Sequence, residues 1–125
     1  MKAARLIFTV AGIYGLIVLL PLFFVEPWLV PAPSRPEDYY GFLGSAAAFQ
    51  LVYLAIGRDP LRFRPLMPVA ALAKLAFFVT MVSLWFEGRA AAPALALASI
   101  DGAIGFAFAW AWWRSPPLEG EGDQP

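Results

Sequence analysis

The chain has 125 residues, of which 61% are hydrophobic and only 14% charged, with nine Lys+Arg against nine Asp+Glu. Soluble domains run at about 45–50% apolar and about 25% charged, so this composition describes an integral membrane protein rather than a water-soluble one. Zero Cys and zero His exclude disulfides, thiol chemistry, imidazole-held metal or haem, and Ser-His or Cys-His triads. Carboxylates, amines, hydroxyls and amides are left to carry any chemistry.

A hydrocarbon layer of about 30 Å needs about 20 mostly apolar residues in a helix. Four windows meet that length: about 6–25, 39–57, 66–86 and 90–113. The first two hold no charge, the third only Lys74 and the fourth only Asp101, so sixteen of the eighteen charged side chains fall outside the spans. The expected fold is an all-α, integral membrane four-helix bundle over residues 1–114, left-handed in its packing. Lys2 and Arg5 before the first apolar run resemble the start of a signal peptide. That run is longer than the usual ~7–15 residues and no small-x-small cleavage site follows, so it is expected to stay as a span.

The first span is expected to end at Pro21 and Glu26-Pro27, where helical hydrogen bonds are hard to continue. Residues 26–36 hold four prolines, which makes them a stiff extended connection. Glu37 and Asp38 suit the first turn of the second helix, where negative charge meets the positive end of the helix dipole. Gly57 is expected to end that helix, and 58–65 to form a basic turn. Lys2, Arg5, Arg58, Arg62, Arg64 and Arg114 fall on one side, Arg35 and Arg89 on the other, which places both termini in the cytoplasm. Trp28, Tyr39, Tyr40 and Trp85 read as lipid-facing anchors at the outer interface, and Trp110, Trp112 and Trp113 at the inner one. Arg58, Arg62 and Arg64 are candidates for contact with anionic lipid headgroups, or serve only as the orientation signal, with Asp59 pairing locally. The tail 115–125, rich in Pro, Gly and acid, is expected to be disordered and cytoplasmic. No repeat, phosphate-binding Gly-rich loop or nucleic-acid surface stands out.

The informative residues are the polar ones inside the spans. A charge at mid-bilayer costs about 2.5–3.5 kcal/mol on insertion scales, so Lys74 and Asp101 should each seek a partner. At 1.5 Å per residue, Lys74 lies roughly 12 Å and Asp101 roughly 18 Å above the same border, an offset that a lysine stem spans. Gln50 and Tyr14 fall at roughly 10 and 13 Å. Each helix therefore contributes one polar group to a layer in the inner half of the membrane. Small neighbours one turn away, such as Ala11, Ala46, Ala70, Ala98 and Gly105, place these groups at helix interfaces. Ala98–Gly102 and Gly41–Ser45 also match the small-xxx-small pattern, which an alanine-rich chain produces by chance. Two accounts of the layer stay open: an ion pair that specifies which helix meets which, or a proton or ligand site in low dielectric.

Four short spans, both ends inside, a Pro-bearing basic turn and the placement of Lys74 and Asp101 give a layout that resembles the DoxX-like group of small bacterial four-helix membrane proteins. The residues carrying the likeness lie in 39–113: Tyr40-Gly-Phe-Leu-Gly44, Gln50, Arg58-Asp-Pro60, Arg64-Pro65, Lys74, Gly88 and Asp101-Gly102. The resemblance implies a membrane-embedded bundle in a bacterial inner membrane, and some members of that group are linked to quinone or respiratory redox systems. Small multidrug exporters resemble the chain less, since they need an acid in the first helix. The expected function is a structural or accessory membrane protein, as a homo-oligomer or part of a larger complex. The alternatives are a proton-coupled small-molecule transporter using Asp101 and Lys74, or a quinone-binding component with Gln50 and Tyr14 as donors. No catalytic residue, metal or resident cofactor is expected, and the identity of any small-molecule ligand stays open.

Overall fold

The computed structural model describes residues 2–29 and 32–115. The expected disordered tail therefore lies outside the described residues except for Ser115. Four long helices follow one another: α1 Lys2–Val25, α2 Pro36–Arg58, α3 Met67–Phe86 and α4 Ala92–Arg114. Among the described residues there is no strand. At 1.5 Å per residue, α1 with 24 residues is roughly 36 Å long and α3 with 20 is roughly 30 Å. Each of the four is long and apolar enough to cross a membrane.

Local chemistry accounts for the boundaries. Pro36 opens α2, and Arg35 Nε lies 3.3 Å from Glu37 Oε1 and 3.1 Å from Asp38 Oδ2, an exposed cluster over the first turn. Pro68 and Pro93 occupy the first turns of α3 and α4, where a missing N–H costs nothing. Gly88, with φ of 72°, closes α3: Arg89 N–H donates to Leu84 O at 2.8 Å and Gly88 N–H to Trp85 O at 2.9 Å, the paired bonds of a left-handed helix stop.

Two boundaries differ from expectation. Pro21 lies inside α1, which continues to Val25 and into a 3₁₀ turn over Glu26–Trp28. One proline so close to the end removes a single helical hydrogen bond. Gly57 does not end α2, which runs on to Arg58 and closes with Asp59 N–H on Ala55 O at 3.2 Å. Gly57 is needed for space instead, because a Cβ there would collide with Thr9 of α1. The same reason holds for Gly12 against Leu54 and for Gly102 against Phe78.

Glycines and alanines bring α1 against α2 and α3 against α4 along their lengths, forming two tight hairpins. The hairpins meet chiefly through α1 and α4, whereas α2 and α3 barely touch. The core lies toward the end that carries Lys2 and Arg114: Phe8 and Phe108 stack at 4.1 Å, Tyr53 tilts onto Phe108 at 4.9 Å, and Ala4, Ala11, Ile56, Met67, Ala70 and Ala111 fill in around them. Toward the other end the hairpins stand apart and leave a space. The outward faces are apolar on every helix, with Leu6, Ile17, Leu51, Leu72, Val79 and Phe106 all exposed.

Candidate functional site

The space between the hairpins is a chamber of about 300 Å³ lined by residues of all four helices. Its walls are apolar: Val18, Leu19 and Leu22 from α1, Phe42 and Phe49 from α2, Phe77 from α3 and Leu97 from α4. Phe42 and Phe77 stack at 5.5 Å across the seam where α2 and α3 otherwise scarcely meet. The polar lining is Tyr14, Ser45, Gln50, Tyr53, Lys74 and Asp101. Most of it sits at the level where the packed core stops, so the chamber has a polar floor and greasy sides.

Lys74 and Asp101 form an ion pair, with Nζ donating to Oδ1 at 3.0 Å. The two side chains differ in exposure, 7% for Lys74 and 22% for Asp101. Lys74 Nζ also stands 5.4 Å from the centroid of the Tyr53 ring, so its charge is shared between a carboxylate and an aromatic face. Gly105 permits this, since its missing Cβ lets α4 approach to where that atom would lie 3.0 Å from Lys74 Cβ. A pair held this way need not add to stability, but it penalises any packing that separates its members.

Gln50 and Tyr14 share the chamber with the pair without bonding to it. Gln50 Nε2 donates to Ala46 O, one turn back on its own helix, at 2.9 Å. That bond turns Oε1 toward Gly15, where it is buried without a hydrogen-bond partner among the described residues. Gly15 makes the fit possible, because any Cβ there would occupy the place of the amide. Four polar groups from four helices thus line one chamber, while only Lys74 and Asp101 bond to one another.

Tyr53 escaped the sequence reading. It is 2% exposed and lies beneath Lys74, against both Phe49 and Phe108. Its signal was spacing: Tyr53 follows Gln50 by three residues and therefore shares its helix face. Tyr39, read as an outer anchor, turns inward and donates its hydroxyl to Leu22 O at 2.7 Å. This ties the start of α2 to the end of α1.

The three turn arginines do not behave alike. Arg64 faces the C-terminal end of α4, where Nε donates to Ser115 O at 3.2 Å and Nη2 to Trp112 O at 3.4 Å, with the guanidinium 5.4 Å from the Trp112 ring. A cation on the last carbonyls of a helix meets the negative end of its dipole, so Arg64 caps α4. Ser115 belongs to this arrangement, as it is buried and its hydroxyl donates to Ala111 O at 2.6 Å. Arg62 and Arg58 are exposed; Asp59 Oδ1 accepts the backbone N–H of Arg62 at 3.3 Å, and Arg58 O accepts from Arg5 Nη1 at 3.1 Å. The basic residues read as one side of the chain therefore gather at one end of the bundle.

Fold and site together define a four-helix bundle of membrane-crossing dimensions with a partly open internal chamber over a buried ion pair. No family model matches the chain, and no curated protein or solved structure is detectably similar to it.

Proposed function

We propose that this chain is a small multi-pass membrane protein of accessory role that holds a lipid-soluble small molecule between its two hairpins. Both termini lie on the cytoplasmic side in this reading, supported by the gathering of Lys2, Arg5, Arg58, Arg62, Arg64 and Arg114. A bacterial inner membrane is the setting that the DoxX-like resemblance implies. The exposed apolar faces of all four helices suit a bilayer.

The observation that carries the proposal is the chamber. A bundle serving only as a scaffold gains from close packing, because dispersion contacts hold helices together in lipid. Here the two hairpins pack closely toward one end and stand apart toward the other, and the gap occurs where the polar groups converge. The α2–α3 seam, bridged by the Phe42–Phe77 stack, is the route by which a molecule dissolved in the bilayer reaches the chamber. Mass spectrometry of protein purified in mild detergent tests the proposal. A small amphiphile at a fixed ratio to protein, lost from the Val18→Trp variant whose indole fills the chamber, is the expected result. A bundle that carries nothing beyond bulk lipid, and that takes up no apolar probe, refutes it.

Proton-coupled transport is the second reading, favoured by the partial exposure of Asp101 at the chamber. It predicts pH-dependent uptake into vesicles that Asp101→Asn abolishes.

A further inference from the structure

The polar floor presents its acceptor and its ammonium donor unequally. Only one oxygen of Asp101 is used: Oδ1 accepts from Lys74, and no hydrogen bond among the described residues reaches Oδ2. Oδ2 is also absent from the polar atoms that are sealed without a partner, which are limited among the described residues to Gln50 Oε1. The second carboxylate oxygen is therefore reachable, and Asp101 lines the chamber. Lys74 is the more covered member of the pair, with Asp101 on one side of its ammonium group and the Tyr53 ring on another. A molecule in the chamber meets the carboxylate acceptor more readily than the ammonium donor. The hydroxyls of Tyr14 and Tyr53 form no hydrogen bond with another described residue, and each can accept as well as donate.

Charge and size narrow the class further. Lys74 and Asp101 cancel, so a charged ligand would bring an unbalanced charge into an apolar site at a large desolvation cost. A dry cavity of about 150 Å³ accepts one benzene. At about 300 Å³, this chamber has room for two fused rings or a similar short chain.

Resting on the reading of the chamber as a binding site, we propose that its ligands are neutral amphiphiles of about two rings' bulk bearing a hydroxyl or similar donor, which hydrogen-bonds to the free carboxylate oxygen of Asp101. Phe42, Phe49 and Phe77 take the apolar body, and Lys74 holds the carboxylate in place through Oδ1. A hydrogen bond to a charged acceptor in low dielectric is roughly twice as strong as a neutral one, so the donor is selected and not merely tolerated.

The test uses 2-naphthol, 2-methoxynaphthalene and naphthalene as probes, with the full chain in nanodiscs and empty discs of the same lipid as reference. Excess probe bound per protein is measured at neutral pH by equilibrium dialysis. The proposal expects 2-naphthol to bind about tenfold or more tightly than 2-methoxynaphthalene, which has the same rings but no donor. Asp101→Asn alone strands Lys74, so the informative variant is the double Lys74→Met/Asp101→Asn, which leaves no unpaired charge. It is expected to bind naphthalene as before and to keep only a small part of the preference for the hydroxyl, because the amide oxygen that replaces the carboxylate is a neutral, weaker acceptor. Equal binding of 2-naphthol and its methyl ether overturns this inference while the chamber remains a binding site, and so does a preference that persists undiminished in the double variant. No excess of any probe over empty discs, or excess that Val18→Trp does not reduce, overturns the binding reading itself.

Discussion

Breaking the ion pair from either side should cost more than removing it. With Lys74→Met, Asp101 loses its only hydrogen-bonded partner among the described residues; with Asp101→Asn, Lys74 keeps the Tyr53 ring face but loses its carboxylate. Removing one member of a buried pair typically costs about 3–5 kcal/mol, because the remaining charge stays desolvated. The two single variants are not equivalent. Lys74 is 7% exposed and Asp101 22%, so Asp101→Asn is expected near the upper end of that range and Lys74→Met near the lower. Cation–π contact with Tyr53, worth about 0.5–2 kcal/mol, only partly offsets the first loss. The double variant replaces two charges with neutral side chains and should return to within about 1–2 kcal/mol of the parent, since apolar replacement of a buried pair is often neutral. Thermal or denaturant unfolding in mild detergent, followed by helical circular dichroism, measures all four corners of the cycle. A coupling energy of roughly 4 kcal/mol or more follows from these losses. If the single losses simply add in the double variant to within about 0.5 kcal/mol, the two side chains do not act as a pair and the reasoning fails.

Two further predictions concern packing and the basic turn. Gly102→Ala would place a Cβ 2.6 Å from Phe78 Cγ and 2.7 Å from Cδ1, pushing α3 from α4 at a cost of about 1–3 kcal/mol, whereas Gly44→Ala meets no atom within 4 Å and should leave stability unchanged or slightly higher. Equal losses in the same unfolding assay would mean that glycine contact does not set the α3–α4 spacing. Arg64→Lys keeps the charge but not the two-pronged hold on Ser115 O and Trp112 O, so amide hydrogen exchange over 111–115 should quicken roughly fivefold for about 1 kcal/mol lost. Arg62→Lys is the control, and an equal effect from it would remove Arg64 from its capping role.

Some of the site is legible in the sequence. Lys74 and Asp101 stood out because a charge in a long apolar run is costly, and helical rise places both at similar depth, so their pairing followed from counting residues. Tyr14 and Gln50 were placed in the same layer by the same count, and all four line one chamber. Counting gives depth but not azimuth, however, and a side chain's partner depends on both. Gln50 therefore bonds to Ala46 of its own helix rather than to the pair, and Tyr53, one turn further along, takes the position beneath Lys74. Arg64 was read with Arg58 and Arg62 because the three are close in sequence, yet only Arg64 reaches the carbonyls at the end of α4, residues 48 and 51 positions away.

Composition and span length by themselves determined that four helices of membrane-crossing length form, because the apolar thickness to be matched is a one-dimensional quantity that a run of residues either reaches or does not. Sequence also determined which two charges must meet. Tertiary structure alone decided that α1–α2 and α3–α4 close tightly while α2 and α3 stay apart, because that depends on where glycine and alanine let backbones approach in three dimensions. The chamber is the volume left by that unequal packing, and no single helix encodes it.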